Sequence, residues 1–181
     1  MLVVNEVATG VVRDGGWADA GGGCGDGRGR RAPPGSLPNM LTIERAIVDK
    51  IIAHARADHP DEACGIVAGP AGSDRPTRFI PMTNAERSPT YHSFDSGEWF
   101  RVSREMDDND EEMIVHYHSH TSTEAYPSRT DIGYLRSSLA DPRVHRVIVS
   151  TRDPDEAEFR SYLLVDGEVV EEEVEIVESY E

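Results

Sequence analysis

The sequence predicts an α/β fold: a single domain in which helices flank a mixed β-sheet. Apolar runs of strand length alternate with stretches of helical periodicity, and glycine, proline and acidic residues separate them. From residue 42 to residue 177 the elements follow the order αβββαβαβββ. A chain of 181 residues with 38% hydrophobic content is long enough for one domain with a buried core.

The first half of this domain predicts a helix, a hairpin and a second helix. Apolar residues from Ile43 to Ala55 recur at helical spacings, so a helix is expected to begin with Thr42 as its cap and to end before Pro60. Strands are predicted at residues 64–68 and 77–81, on either side of a glycine and proline turn. A short extended piece at 91–94, a helix from 96 to about 106 and an acidic turn at 107–112 follow.

The second half predicts a buried strand, a helix and a three-strand ending. The apolar run at 113–118 is a strand, and Ser128 opens a helix that is expected to reach about residue 139. A second buried strand covers 144–150. Strands at 159–165 and 168–177 flank Asp166 and Gly167, a pair typical of a two-residue hairpin turn.

The first 39 residues have a different composition. They hold ten of the sixteen glycines and three of the eleven prolines, and such a segment buries too little apolar surface to offset its chain entropy. We therefore predict a disordered N-terminal extension at 1–39 and a domain at 40–181. Met40 stands directly before the first periodic segment, which suggests the hypothesis that translation begins there.

Charge and cysteine content restrict the partners and the compartment. The formal net charge is -16, and residues 1–39 contribute nothing to it, so the acidic excess lies on the domain. An acidic surface of this size disfavours nucleic acid and anionic membranes as partners. Cys24 and Cys64 do not make a disulfide framework, and neither an export signal nor a membrane-length apolar run is visible. The cytoplasm is the expected location, while the oligomeric state is left open.

Four residues at the junction of a strand and a helix predict a metal site: His118, His120, Ser128 and Asp131. Residues two apart on a strand point to the same face, and the first turn of a helix can direct a side chain back at that face. Two imidazoles and one carboxylate are a ligand set for zinc that leaves a fourth position open, where the pKa of a water falls to about 7. The pattern predicts a hydrolase.

Such a site also needs a group that accepts and returns a proton. Glu62 is the candidate, because it lies just before an apolar strand that is expected to border the site. The alternative is that Glu62 is a solvated residue in a polar turn. Cys64 is interpreted as a small buried hydrophobic residue, since no base or partner cysteine is suggested nearby.

Three alternatives stay open for the metal motif. Ser128 and Asp131 also form an S-x-x-D capping arrangement at a helix start, and both interpretations can hold together. A shifted pair of His116 and His118 is a second candidate for the imidazole ligands. Iron or manganese would also suit an imidazole and carboxylate site, so zinc is a preference.

Glu62, His118, His120, Ser128 and Asp131 together resemble the JAMM motif of the MPN (Mov34/PAD-1) metallopeptidases. Residues 41–181 are most similar to an actinobacterial branch of that family, the Mec proteins, notably at 54–65, 81–89 and 117–131. The resemblance implies a layered, cytidine-deaminase-like mixed sheet flanked by helices. It implies one catalytic zinc ion held by His118, His120 and Asp131, with Glu62 as acid and base and Ser128 steadying the oxyanion.

The resemblance also implies an activity. The expected reaction is release of L-cysteine from the C-terminal glycine of a ubiquitin-like sulfur carrier protein that ends in Gly-Gly, a step of cysteine biosynthesis. Two other functions stay open: a general isopeptidase or peptidase that trims other C-terminal conjugates of such carriers, and a non-catalytic MPN scaffold. The scaffold interpretation expects a missing ligand, and no ligand of the motif is missing from the sequence.

Overall fold

A mixed β-sheet forms the centre of the molecule, in a computed structural model that describes residues 2–3, 40–137 and 140–181. Helices α1 (Arg45–Asp58), α2 (Ser96–Asp108) and α3 (Arg129–Leu135) accompany the sheet. The strands of the described residues are β1 (Leu2–Val3), β2 (Met40–Glu44), β3 (Cys64–Pro70), β4 (Arg78–Met82), β5 (Glu111–His120), β6 (His145–Ser150), β7 (Ala157–Val165) and β8 (Glu168–Val177).

The strand order across the sheet is β2-β8-β7-β6-β5-β3-β4, with β1 paired to β7. β5 runs parallel to β6, and β2 runs parallel to β8, whereas the β3–β4, β3–β5, β6–β7 and β7–β8 pairs are antiparallel. The prediction of a mixed sheet flanked by helices is confirmed. β5 has a neighbour on each side, so its C-terminal end lies inside the sheet and not at an edge.

The two faces of β5 have different roles. Val115 and Tyr117 pack into the core that α1 covers through Ile47, Val48 and Ile51. The opposite face of the sheet contributes to a second cluster, which α2 covers. Because side chains alternate along a strand, His116, His118 and His120 share this second face. The second cluster consists of Cys64, Ile66, Ala68, Met82, Val102 and Met106.

The start of the first helix differs from the prediction. Residues Met40–Glu44 form β2, the helix begins at Arg45, and Glu44 occupies the cap position without a side-chain cap bond. Leu41 and Ile43 are fully buried and pair with Val174 and Ile176 of β8. The prediction that Thr42 caps the helix was therefore wrong. Ile43 fits both a period of two and a helical spacing, and only the pairing with β8 separates the two.

The remaining elements agree with the prediction to within a few residues. Asp166 and Gly167 have φ angles of 51° and 81°, which is the positive-φ pair of a type I′ hairpin turn. The predicted acidic turn is shorter, because α2 continues to Asp108 and β5 begins at Glu111. The stretch at 91–94 contributes one isolated bridge, between Asn84 and Phe94, and no strand. α3 ends at Leu135, and residues 138–139 of its predicted end lie outside the described residues.

The predicted N-terminal extension is described only at Leu2–Val3, which pair with Ala157 and Glu158 of β7. The rest of that segment lies outside the described residues, so the boundary at residue 40 stays a prediction. In the part of the chain that the structure describes, no helix is long and apolar enough to cross a membrane.

Candidate active site

The C-terminal end of β5 brings two imidazoles together. His118 and His120 point to the same face, and their Nε2 atoms lie 3.2 Å apart. Both side chains are buried. β3 on one side and β6 on the other fix the backbone of β5 here, since Cys64 and Ile148 pair with His118. The histidine pair is therefore held by the sheet and not by a loop.

Asp131 reaches the same point from the first turn of α3. Its Oδ2 atom lies 3.5 Å from Nε2 of His118 and 3.5 Å from Nε2 of His120. The same oxygen accepts a 2.7 Å hydrogen bond from the backbone N–H of Ser128, whose hydroxyl accepts a 3.2 Å bond from the N–H of Asp131. This is a reciprocal capping box. The capping and site interpretations of Asp131 are thus both compatible with the geometry.

The three donor atoms fit a tetrahedral metal ion. Zinc bonds of about 2.05 Å require donor atoms about 3.3 Å apart, close to the observed 3.2, 3.5 and 3.5 Å. His120 Nδ1 lies 2.9 Å from the backbone carbonyl oxygen of Glu124, which accepts only, so Nδ1 carries the proton and Nε2 offers its lone pair. His118, His120 and Asp131 thus form a group suited to holding a metal.

The surroundings set the charges of this group. Burial raises the pKa of Asp131, but the adjacent imidazoles of His118 and His120 outweigh this effect and hold the pKa well below its usual range. Burial lowers the pKa of His118 to about 4. Burial also lowers the pKa of His120, yet its hydrogen bonds to Asp131 and to the Glu124 carbonyl give a net raised pKa. At neutral pH, Asp131 is therefore ionised and His118 offers a neutral imidazole, as a metal ligand requires.

Glu62 lies two residues before β3, the strand beside β5. Cys64 pairs with His118, so continuing the antiparallel register by two residues brings Glu62 beside His120 on the site face. The carboxylate is buried, and its Oε2 lies 3.4 Å from Nδ1 of His92. The backbone of Glu62 is fixed on both sides, by its N–H to the Ser88 carbonyl and by its carbonyl to the Asn84 side chain, each at 2.9 Å.

His92 is a site residue that the sequence did not reveal. Its ring stacks on His118 with centroids 4.2 Å apart, and its Nδ1 contacts Glu62. It comes from the connection between β4 and α2, where Asn84 bonds to the carbonyl of Tyr91 at 3.1 Å. A single histidine in an irregular segment has no spacing to mark it. Only the folding of this connection over β5 brings His92 to the site.

His116 does not join the group that contains Asp131. Its ligand atom groups with those of His92 and His118, which makes a second set of three imidazoles with metal-binding spacing. The shifted pair of His116 and His118 therefore lacks the carboxylate that the sequence interpretation gave it. Burial lowers the pKa of His116 well below its usual value.

Cys64 is close to Glu62 in the sequence, but its environment is that of a buried core residue. It is fully buried in the α2-side cluster, and burial raises the pKa of its thiol to about 12. A thiol with that pKa is not a nucleophile at neutral pH. This agrees with the interpretation of Cys64 as a small hydrophobic residue; Cys24 lies outside the described residues.

A small cavity of about 230 Å³ opens beside the candidate metal ligands. His118 and Asp131 line one part of its wall, and Arg146 of β6 lines another. Phe94, Tyr134 and Leu135 make much of the remaining wall apolar. Neither this cavity nor the position of Arg146 was predicted from the sequence.

Comparison with known families accounts for this arrangement. Residues 44–165 match the family described as prokaryotic homologs of the JAB domain. The chain belongs to the JAB/MPN family. The resemblance seen in the JAMM motif is therefore confirmed, and all five motif residues, from Glu62 to Asp131, lie within the matched region.

Individual relatives extend the family match. CysO-cysteine peptidases of Mycobacterium tuberculosis and Mycobacterium bovis are 59% identical to this JAB/MPN chain over 141 residues, which cover 78% of the chain and 94% of those proteins. A desampylase of Haloferax volcanii is 30% identical over 98 residues, covering 51% of the chain and 70% of that protein. The resemblance to Mec proteins covers residues 41–181, and this segment has the same length, 141 residues, as the match to the mycobacterial proteins.

Solved structures share the fold. A solution structure of a Desulfitobacterium hafniense protein has a TM-score of 0.66 at 30% identity and covers 78% of this chain and 95% of its own. A Salinibacter ruber protein has a TM-score of 0.56 at 25% identity, with 76% and 92% coverage. Both proteins therefore share the overall fold with most of this chain.

Proposed function

We propose that this chain is a zinc-dependent hydrolase that releases L-cysteine from the C-terminal glycine of a ubiquitin-like sulfur carrier protein, in cysteine biosynthesis. One observation carries the proposal: three donor atoms of metal-binding type lie 3.2 to 3.5 Å apart, with a buried carboxylate, Glu62, on the same face. The 59% identity with proteins named CysO-cysteine peptidase supports the substrate class.

The residues of the motif divide the chemistry among them. His118, His120 and Asp131 would hold the zinc ion, which when bound supplies Lewis-acid polarisation of the scissile carbonyl and a lowered pKa of water. Glu62 accepts a proton from the attacking water and delivers it to the cysteine nitrogen as the carbon–nitrogen bond breaks. Ser128 donates its hydroxyl proton toward the developing oxyanion. The products are free cysteine and a carrier with a C-terminal glycine carboxylate.

Glu62 has the environment that proton transfer needs. Its buried position excludes bulk water from the carboxylate, and the fixed backbone on both sides holds it in one place. The contact with His92 Nδ1 at 3.4 Å involves Oε2, and Oε1 is the oxygen that would bind a water molecule in the site. A base that is already oriented loses little entropy when it acts.

The desampylase match favours a second candidate function. In this alternative the site is the same, but the substrate is another conjugate at the C-terminus of a ubiquitin-like carrier. The scaffold interpretation receives no support, because all five motif residues are present and the described geometry brings the three ligand candidates together. The two candidate enzymatic functions share the same site and differ in the leaving group.

The decisive experiment measures hydrolysis by intact-mass spectrometry. The substrate is a ubiquitin-fold carrier with a C-terminal cysteine after Gly-Gly, and the enzymes are the wild type, chelator-treated protein with and without restored zinc, and Glu62→Gln. Glu173→Gln, at an exposed position of β8, is the matched control. We expect the loss of one cysteine mass with wild type, zinc-restored enzyme and Glu173→Gln only.

The failures of this assay are equally informative. Equal activity in Glu62→Gln would remove Glu62 from its role. Activity that survives chelation with no metal in the protein would contradict the zinc proposal. A zinc-loaded wild type that leaves the cysteine conjugate intact would discard this substrate and direct attention to other carrier conjugates.

A further inference from the structure

Arg146 is a buried cation that the proposed chemistry does not use. It lies at the start of β6 and pairs with His116 of β5, so it shares the face that carries His118. Only 5% of its surface is exposed. Arginine is rarely buried to this extent without an anionic partner, because desolvation of the guanidinium is unfavourable.

The contacts of Arg146 leave it without such a partner. One Nη2 hydrogen bond reaches the backbone carbonyl of Asp141 at 3.3 Å, and the guanidinium lies 5.9 Å from the centre of the Tyr134 ring. Its Nε atom is buried and bonds to no group of the described chain. The residues that the structure describes place no carboxylate in ion-pair contact with it. A backbone carbonyl and an aromatic ring thus hold the guanidinium in place, and its Nε–H group has no acceptor among the described residues.

Arg146 lines the same cavity as the metal ligand candidates. Phe94, Tyr134 and Leu135 give the cavity apolar wall surface, and His116, which pairs with Arg146, lines it between Arg146 and His118. The volume of about 230 Å³ is below the roughly 300 Å³ at which pockets for drug-sized ligands begin. A cavity with a cation in one wall and the candidate metal site in another suits a single small amino acid.

We propose that Arg146 binds the free α-carboxylate of the residue that is released, so that this cavity is the leaving-group pocket. The inference rests on the proposed function and specifies its substrate: one C-terminal amino acid with an unblocked carboxylate. Arginine matches a carboxylate through two parallel N–H donors. Phe94, Tyr134 and Leu135 then face the small side chain of that residue.

The spacing of the strands agrees with a single residue. Neighbouring strands lie about 4.8 Å apart and two residues advance about 6.6 Å along a strand, so the Cα atoms of Arg146 and His118 are separated by roughly 8 Å. Both side chains stand on the same face of the sheet, and one residue, which spans at most about 3.6 Å from its nitrogen toward its carboxylate, with a contact at each end is comparable with that separation. A second residue after the scissile bond would have to pass beyond Arg146.

This arrangement separates the two candidate functions. A lysine of a folded protein, joined through an isopeptide bond, presents no α-carboxylate at the position of a single released residue. An extended peptide places a neutral amide against the guanidinium and leaves the buried charge unpaired. Hydrolysis of protein conjugates is therefore disfavoured, and release of one free amino acid is favoured.

The test compares substrates that differ only in this carboxylate. Carrier with a C-terminal cysteine is compared with the same carrier ending in cysteinamide and with one extended by a glycine, using zinc-loaded full-length wild type, Arg146→Gln and Arg146→Lys. Arg143→Gln is the matched control, because Arg143 lies three residues away, is largely exposed and pairs with Asp141. The readout is kcat/KM for each combination of enzyme and substrate.

We expect the wild type to prefer the free acid over the amide by about 100-fold or more, since a site built for a charged group rejects the neutral analogue. In Arg146→Gln the ratio of kcat/KM for the acid to that for the amide should fall to near one, mainly through slower hydrolysis of the acid. In Arg146→Lys the ratio should lie between those of the wild type and Arg146→Gln. Arg143→Gln should keep the wild-type ratio. Equal rates of the wild type on acid and amide would overturn the proposal without any variant, so a folding defect in Arg146→Gln cannot hide the answer.

A binding measurement separates this inference from the proposed function. Zinc-loaded wild type is titrated with N-acetylglycyl-L-alanine and its C-terminal amide, which carry no thiol, and chemical-shift changes are followed by NMR. Tighter binding of the acid in wild type, and no such preference in Arg146→Gln, support the carboxylate site even where no carrier conjugate is cleaved. Equal binding of acid and amide would overturn the assignment of Arg146.

Discussion

Asp131 uses one carboxylate oxygen for two tasks. Its Oδ2 caps α3 through the Ser128 N–H and lies at equal distance from both histidine Nε2 atoms. The cap fixes the side chain in the orientation that the proposed metal site needs, so the start of the helix preorganises the ligand. A residue with two such tasks allows each to be tested by a suitable substitution.

Asp131→Asn should lose the metal and keep the helix. The amide oxygen of asparagine still accepts the Ser128 N–H, but the negative charge is gone, so zinc affinity should fall by more than the roughly 10- to 100-fold typical of partners outside the ligand shell. Zinc per chain, measured by elemental mass spectrometry after desalting, should approach zero. Asp141→Asn, which removes a carboxylate paired with Arg143, should retain zinc. An active Asp131→Asn protein with a full zinc content would refute the ligand assignment.

His92 should act by positioning Glu62 and His118. His92→Phe keeps a ring to stack on His118 but removes the Nδ1 contact with Glu62, so we expect kcat to fall roughly 10- to 100-fold, with zinc content and KM little changed. His92→Ala loses both contacts. Steady-state kinetics and zinc content of both variants check this, and a phenylalanine variant with wild-type kcat would show that the contact with Glu62 is unimportant.

Ser128 is predicted to have separable structural and catalytic effects. Ser128→Ala removes the cap acceptor, which should lower the free energy of unfolding by about 1 kcal/mol. Loss of an oxyanion donor should lower kcat by about 100- to 1,000-fold. Urea unfolding and kinetics measure the two effects, with Ser128→Thr as the variant that keeps a hydroxyl. A stability loss with unchanged kcat would leave Ser128 as a cap alone.

At the scale of elements, the β3–β5 pair aligns the proposed base with the proposed ligands. Gly65 pairs with Tyr117 across this ladder, and the Tyr117 ring lies directly over the glycine. A Cβ atom at Gly65 would stand 2.6 Å from Cζ of Tyr117 and 2.7 Å from the Ile80 carbonyl oxygen. Glycine is therefore required here by the close approach of a ring and a backbone, and not by a turn.

Gly65→Ala should loosen this pair. Because both the ring and the backbone carbonyl must move, we expect a loss of about 1–3 kcal/mol in the free energy of unfolding. Gly133→Ala is the control, since nothing lies within 4 Å of a Cβ at that helical position, and it should stabilise by about 0.4–1 kcal/mol. Urea unfolding of both variants gives the comparison; equal stability of Gly65→Ala and wild type would show that Tyr117 can move aside freely.

At the scale of the whole molecule, the dominant property is the acidic surface. The net charge of -16 lies outside residues 1–39, so the domain that carries the proposed site is strongly acidic. Like charges on a partner would slow its approach, and a basic face would speed it. The carrier protein of the proposed reaction is therefore predicted to present basic residues near its C-terminal tail.

Salt dependence tests this prediction. Because the screening length is about 10 Å at 0.1 M salt and about 3 Å at 1 M, kcat/KM for the carrier conjugate should fall several-fold as salt rises over that range. A short peptide ending in Gly-Gly-Cys should show little change, since it lacks the folded carrier surface. A carrier reaction as insensitive to salt as the peptide reaction would contradict electrostatic steering.

Several features of this protein are determined by the sequence itself. The spacing of His118, His120 and Asp131 encodes a metal-type group, because the strand and helix periods act over neighbouring residues and need no distant contact to be interpreted. The hairpin at Asp166 and Gly167 is local for the same reason, since its positive φ angles follow from the residue types. Family membership also follows from these local motifs together with Glu62.

Other features are decided only by the tertiary structure. Leu41 and Ile43 form a strand because β8, more than 130 residues later, offers them a parallel partner. His92 meets Glu62 only where the connection before α2 folds over β5, and Arg146 enters the cavity only because β6 pairs beside His116. Strand register and loop packing depend on contacts between residues far apart in the chain. Local sequence patterns do not reveal those contacts. The sequence therefore determines the chemical groups, and the tertiary structure decides which of them meet.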